Sequence, residues 1–559
     1  MLRSLLLAAT LLTPLPALSQ GIAGPYLAAR IAGFSNDYSA AGQYYRDLLA
    51  QGEDDARILE NAMIIYSVLG DFNAATAVAD TLDATGESSQ FSASGRMVKA
   101  LSDERWDDAA ALLDEGSIAG PLLDGLLTAW IAAAQGRTSD ALAAFDTLGQ
   151  TEAFAPFAYL HKAYALASVG DYEGADDILS GRAYGALNAT TRGVAAHAQI
   201  LVQLDQRDAA AELLQKANDA TSSALLRDLE ARITAGETIA YDIVATPLQG
   251  MAEAYFVFAA LLASDSSTTF TLINARAAIS LRPDHVEALV MTAELLENQN
   301  QHKLAADVLA GVPRDDPAFY EAEISRAEIL LASDQNEAAL EVLAALTRSD
   351  ADKIEVWAAY ADALRRLERF APAAKAYDRA IAMLSEVTPR NWLLFYTRGI
   401  ARERLSDWTG AEADFRQALT LNPENPNVLN YLGYGLVEQR IKLDEALGMI
   451  ERAVAARPND GFITDSLAWV LYRLGRYDEA VAPMERAVQL EPLDPLINDH
   501  LGDVLWSVGR KREARFQWKR ALSLDPQEQV ERIRRKLDVG LDVVLEEEGG
   551  VGPIKTSDK

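Results

Sequence analysis

Leu467–Pro492 reads LAWVLYRLGRYDEAVAPMERAVQLEP. Leu467, Ala468 and Leu471 share one face of a helix, Gly475 punctuates it, and Tyr477, Ala480, Met484 and Ala487 open a second apolar stripe before Pro492 stops it. The pattern returns 34 residues later as Leu501-Gly502, Leu505, Gly509, Ala514, Trp518, Ala521 and Pro526. One block earlier it is Leu432-Gly433, Leu436, Ala446, Ile450, Ala453 and Pro458, with one extra residue in the turn. Before that, Gly399, Trp408, Ala411, Phe415, Ala418 and Pro423 fit the same template.

This periodicity resembles the tetratricopeptide repeat, a helix–turn–helix unit of about 34 residues closing on proline. Carried backward, the small residue of the second helix falls at Ala41, Ala75, Ala109, Ala141, Ala175, Ala210, Ala305, Ala339 and Ala373, with Thr271 in a weaker block. With Ala411, Ala446, Ala480 and Ala514 the series predicts about fourteen units. A small residue such as Gly433, Ala468 or Gly502 lets helix axes approach within about 8–10 Å. A single hairpin cannot hide its apolar face, so stacking buries it against both neighbours. The expected fold is all-α: an α-solenoid, a right-handed superhelix.

Two stretches break the phase. Within GETIAYDIVATPLQG, 236–250, helical periodicity gives way to β-branched residues and Pro247. A second irregularity, Ser385–Asn391, lengthens one connection by about four residues. The expected organisation is a signal peptide over 1–19, a degenerate array over 20–235, a non-helical insert over 236–250, a second array with a capping helix over 251–537, and a disordered tail over 538–559.

The chain has 82 acidic and 51 basic side chains, a formal charge of −31. Such a surface repels a phosphate backbone and argues against nucleic acid. The cations crowd the last helices, from Arg510 to Lys536, and read either as a solvated terminal face or as a docking patch for an acidic partner or membrane. At the start, Arg3, the apolar run Leu5–Leu12 and small residues at Ala17 and Ser19 read as a secretory signal cleaved before Gln20. No later run is long enough to span a bilayer; Ala254–Ala263 is about half a span and reads as a buried helix. There is no cysteine, which removes disulfides, thiolate metal sites and a lipoprotein acceptor. The expected location is the periplasm.

No residue pattern points to catalysis, a cofactor or a metal. His161, His197, His285, His302 and His500 lie in no metal-ligand spacing, and phosphate-loop and nucleophile-elbow motifs are absent. The lone Gly433-Tyr434-Gly435 sits inside a first helix. Acidic pairs such as Asp107-Asp108 read as solvated faces.

What remains is a second stripe on the first helices: Phe462, Asp465, Trp469, Tyr472 and Arg473, with equivalents at Tyr396, Asn430, Tyr434, Asp499, Asp503 and Trp506. Rings interleaved with hydrogen-bonding groups suit a peptide surface. The same rings would equally pack between successive first helices. The resemblance implies that this stripe lines a concave partner-binding groove, and that the chain is a non-enzymatic scaffold for cell-envelope proteins or peptides. Asn425–Leu537 further resembles Gram-negative envelope repeat proteins, some of which are lipoprotein adaptors of a carboxy-terminal processing protease. This chain lacks their lipidated cysteine. A structural part in outer-membrane protein or polysaccharide assembly machinery is the alternative, and an unrecognised hydrolase a weaker one.

Overall fold

Between the two helices of a hairpin, one residue must turn the chain through left-handed backbone. In the computed structural model, which describes residues 22–549 except 88, 188–189, 221–222, 264–267 and 527–528, Gly475 and Gly509 do so. The residues Asn36, Glu104, Asp205, Asn300, Asp334, Glu368 and Ser406 do so in other units without being glycine. In several units the next residue is an aspartate that caps the second helix: Asp71, Asp171 and Asp407 accept from the backbone N–H of Ala74, Gly174 and Gly410. The turn is thus specified by chemistry rather than by glycine alone.

Thirty-one α-helices form among the described residues, and no strand. They pair into fourteen hairpins, leaving Ala224–Thr234, Val530–Val539 and Leu541–Glu547 single. The alanine series that set the phase, from Ala41 to Ala514, is never more than 1% exposed, and neither is Thr271. The fold is therefore the all-α solenoid of paired helices that the periodicity predicts. No helix among the described residues is long and apolar enough to cross a membrane.

The chain divides into two compact units between Val342 and Leu343, not at the 236–250 insert. In the first unit that insert is core: Ile239, Ile243 and Val244 are buried in the cluster that runs from Phe72 to Ala288. The expected non-helical insert ends at 246, because 247–250 open the first helix of the next hairpin, and the reason for its burial lies in that hairpin. Pro247–Ala263 has one charge, Glu253, in an otherwise apolar or neutral sequence, so it needs cover on nearly every side. It finds that cover on the first helices of the preceding array, packing on Pro121–Ala134 and Ala155–Ser168. Its partner Thr268–Leu281 packs on Ala56–Leu69 and Gln90–Ser102. Gly250 lies against the Trp130 indole, where a Cβ would collide with the ring. Arg276 Nε donates to the Val68 carbonyl at 3.0 Å, and the Tyr38 hydroxyl donates to Gln299 Oε1 at 2.6 Å. The first-helix face of the N-terminal array is therefore occupied by the chain itself.

The second unit stacks five hairpins, beginning at Ile354–Arg366, Trp392–Arg404, Pro426–Glu438, Gly461–Arg473 and Pro495–Ser507. Gly433 shows why the small position matters: a Cβ there would stand 2.7 Å from Ile450. The long connection at Ser385–Asn391 contains a 3-10 turn, Pro389–Asn391, closed by reciprocal hydrogen bonds of Thr388 and Asn391. The expected disordered tail begins too early. Leu541–Glu547 is helical, with Leu541 and Val544 buried, because its apolar residues cover the end of the stack. Residues 550–559 and the expected signal peptide over 1–19 lie outside the described residues.

Candidate functional site

The eleven residues of the second stripe separate into two groups. Asp465, Trp469 and Tyr472 lie one, two and three turns along Gly461–Arg473, and Asp499, Asp503 and Trp506 lie likewise along Pro495–Ser507. All six are buried, none more than 8% exposed. Their face is turned to the next first helix in the stack. Trp469 stacks on His500 at 3.9 Å and on Tyr472 at 4.8 Å, and His500 Nδ1 meets Asp465 Oδ1 at 3.0 Å. As a partner-binding surface these six are corrected: they are the packing between repeats.

After the last hairpin, Val530–Val539 occupies the place of a next first helix. Lys536, fully buried, brings Nζ to 2.7–2.9 Å from both carboxylates of Asp499 and Asp503. Trp506 Nε1 donates to Asp542, and Trp518 Nε1 to Asp503. Arg532 and Arg535 pair with Glu548 and Glu547. Much of the basic run is thereby neutralised within the chain, which disfavours a free docking patch. The other five stripe residues are less covered. Tyr396 meets Tyr431 edge-on at 5.5 Å, Tyr434 is half-buried, and Phe462 is 55% exposed. Asn430 keeps a buried side-chain oxygen without a hydrogen-bond donor, and Arg473 lies 3.7 Å from Glu438, which also accepts from Trp469 Nε1.

Burial alone would lower the His500 pKa, but the Asp465 carboxylate outweighs it and the imidazole is held above its ordinary 6.5. A raised value means that the pair contributes its full stability below the unfolded value and loses it as pH rises through the folded one. The expected result for H500Q is a loss of about 1.5–3 kcal/mol near pH 6 that shrinks near pH 8.5. Urea midpoints at the two pH values measure it; an equal loss at both would remove the charge from the interaction.

The first unit carries a cavity of about 1040 Å³ that the second stripe did not anticipate. Its walls come from Thr191–Gln203, Ala224–Thr234, the insert, Val286–Glu297 and the start of Phe319–Ala332. Beneath it lies a buried ionic network. Arg192 Nε donates to Glu253 Oε1 at 2.6 Å, its Nη1 reaches Glu287 at 3.0 Å, and its Nη2 donates to the Ile243 carbonyl at 3.2 Å. Arg282 donates to the same carbonyl at 2.6 Å, and His285 Nε2 lies 3.3 Å from Glu253. Burial would raise the Glu253 pKa, yet Arg192 and then His285 hold the carboxyl well below the carboxylate range. Deeper still, His161 accepts from Trp130 Nε1 at 2.9 Å, and burial lowers its pKa to about 4. These groups fix a wall: two arginines on one carbonyl pin the insert. Arg192 lies 61 residues from Glu253 and 95 from Glu287, and the one signal of the network is Glu253, the single charge in an apolar helix. No group of acids and histidines among the described residues is arranged to hold a metal.

The tetratricopeptide-repeat family model matches residues 396–461, 440–495 and 466–529. These hairpins are tetratricopeptide repeats. The TPR repeat-containing protein PA4667 of Pseudomonas aeruginosa is 35% identical over 88 residues, 16% of this chain and 15% of that protein. The alignment thus spans about a seventh of the relative's length. Among solved structures, a tetratricopeptide repeat protein from Parabacteroides merdae aligns at 18% identity over 46% of this chain and 98% of its own, with a TM-score of 0.38. The Cut9–Hcn1 hetero-tetramer of the APC/C aligns at 16% identity over 94% of this chain and 97% of the other, with a TM-score of 0.39.

Proposed function

We propose that this chain is an exported, non-enzymatic scaffold that holds polypeptide partners against the first helices of its repeats. A stack of hairpins leaves a continuous trough of first-helix side chains, and rings with interleaved polar groups supply area and register for an extended ligand. The observation that carries the reading is the tandem array of tetratricopeptide hairpins over residues 396–529. Because the N-terminal array fills its own face with Pro247–Leu281, and the last repeats close on Val530–Glu547, two regions remain for partners. One is the cavity beside Val290; the other is the less covered surface around Tyr396, Asn430, Tyr434, Phe462 and Arg473.

The finer parts of the proposal rest on sequence. Arg3, the apolar run Leu5–Leu12 and the small residues at Ala17 and Ser19 support cleavage before Gln20 and a periplasmic location. The likeness of Asn425–Leu537 to envelope repeat proteins supports cell-envelope partners, among them a carboxy-terminal processing protease and the substrates it receives. A benzoylphenylalanine placed at Val290 or Phe462 in growing cells is expected to capture a discrete partner protein, whereas one at Glu212, on an exposed second-helix face, is expected to capture none. Equal, diffuse labelling from all three positions would sink the scaffold reading. Mass spectrometry of the native N-terminus is expected to begin at Gln20, and an intact Met1 would sink export.

A further inference from the structure

We infer that the cavity of the first unit takes an extended cationic segment of a polypeptide, with lysine or arginine alternating with apolar residues. This rests on the scaffold reading above and gives its partner a chemistry. The cavity does not end at its own walls. Val290, Glu294, Ala318 and Glu321 also line a second trough of about 510 Å³ that follows Val286–Glu297 and Phe319–Ala332 as far as Ala332. From Ala318 to Ala332 that trough is about 21 Å long at ~1.5 Å per residue. It accommodates about six residues of extended chain.

The charge of the walls selects the sign of the ligand. Eight carboxylates line the larger cavity against three guanidinium groups; Asp228, Asp284, Glu287 and Glu321 are paired with arginines, which leaves Asp242, Glu294, Asp315 and Asp316 without one among the described residues. All three arginines are already committed. Arg192 is held by Glu253 and Glu287, Arg282 by the Ile243 carbonyl and Asp284, and Arg232 by Asp228 and Glu237. None is left to receive an anion. Glu294 and Asp315 stand exposed, and burial pushes the Asp316 carboxyl up, the condition of an acid short of a counter-cation. Between the acids lie Leu225, Leu229, Val290, Met291, Pro313 and Pro317. An extended strand turns alternate side chains to opposite sides, so an alternating sequence meets apolar floor and acidic rim together.

The test uses the mature full-length chain and three fluorescent peptides of about nine residues, alternating Lys–Leu, Ser–Leu and Glu–Leu. Lys–Leu is expected to bind at least about tenfold tighter than Ser–Leu, and Glu–Leu to fail. Raising salt from about 50 to about 300 mM is expected to weaken Lys–Leu several-fold and leave Ser–Leu unchanged. The double variant E294Q/D315N, at two exposed positions that leave the core intact, is expected to lower Lys–Leu affinity about tenfold while its melting stays as in the parent. Photocrosslinking from Val290 locates the bound peptide. If Lys–Leu and Ser–Leu bind alike and E294Q/D315N changes neither, the charge inference is overturned while crosslinking at Val290 keeps the scaffold reading. If no peptide crosslinks at Val290, the cavity is not a polypeptide site and both fail there.

Discussion

Replacing Lys536 by methionine lowers the stability of the C-terminal unit by about 3–5 kcal/mol, the cost of leaving buried charge without its partner. Lys536 is the sole cation whose nitrogen sits between Asp499 and Asp503 at hydrogen-bond distance among the described residues, and both acids are at most 2% exposed. Burial and then the neighbouring Asp503 charge already push the Asp499 pKa up, with Lys536 opposing them. Without the ammonium, the acids meet the variant's cost by taking up a proton. An acid with a raised folded pKa loses stability as pH rises, and losing Lys536 raises these acids further, so K536M is expected to gain back more stability than the parent between about pH 7 and pH 5. Urea unfolding followed by tryptophan fluorescence reads the loss, since Trp506 and Trp518 both hydrogen-bond within this cluster. Amide exchange in 530–547 should rise first, because those helices are held to the stack by this contact. The triple variant K536M/D499N/D503N separates charge from packing: it should recover much of the loss, at the remaining cost of imperfect amide hydrogen bonds. A K536M protein that melts like its parent would show that the cap is held by its apolar residues alone.

The fold was legible because the packing that decides it is periodic in sequence. Ala41 to Ala514 recur where two helix axes touch, and every one of them is buried. Glycine is no guide to the turns in either half: Asn36, Glu104 and Asp205 take left-handed backbone before Gly250, and Glu368 and Ser406 after it. The site was less legible for a different reason. Spacings such as 465, 469 and 472 identify a shared helix face but do not say whether that face looks into a groove or onto the next helix. Trp469 and Tyr472 satisfy both patterns, and the presence of His500 one repeat later decides for packing. Lys536 hid inside a basic run, because only the fold brings it to Asp499 and Asp503. Ala254–Ala263 reads as a buried helix, but nothing marks the Pro247–Leu281 hairpin as an occupant of the earlier first-helix face, since no local pattern encodes a contact between Gly250 and Trp130.

Replacing Arg192 by methionine is expected to cost the first unit about 3–5 kcal/mol at pH 7, for it strands Glu253 in the same way. The parent and the variant should then respond to acid in opposite directions. In the parent, Arg192 and His285 hold Glu253 well below the carboxylate range, so its contribution is complete above the unfolded value near 4.5 and is lost as pH falls through the folded one. In R192M burial dominates, the folded value rises above the unfolded one, and acidification from about pH 7 to pH 5 stabilises the variant. His161, lowered by burial to about 4 against the opposing Glu253 charge, weakens the parent between pH 6.5 and 4, below most of the window in which R192M gains. The double variant R192M/E253M replaces the ion pair by apolar groups of similar volume and should stand close to the parent in stability with little dependence on Glu253 titration. It still has a defect. Arg192 and Arg282 share the Ile243 carbonyl, and with one donor gone the insert is less firmly placed against the cavity. Affinity for the Lys–Leu peptide should therefore fall in R192M/E253M even where stability is regained, which distinguishes a network that shapes the cavity from one that only holds the core. R192M with parental stability and an unchanged pH response would mean that His285 and Arg282, 3.3 and 3.8 Å from the carboxylate, compensate Glu253, and the wall would then owe its position to Arg282.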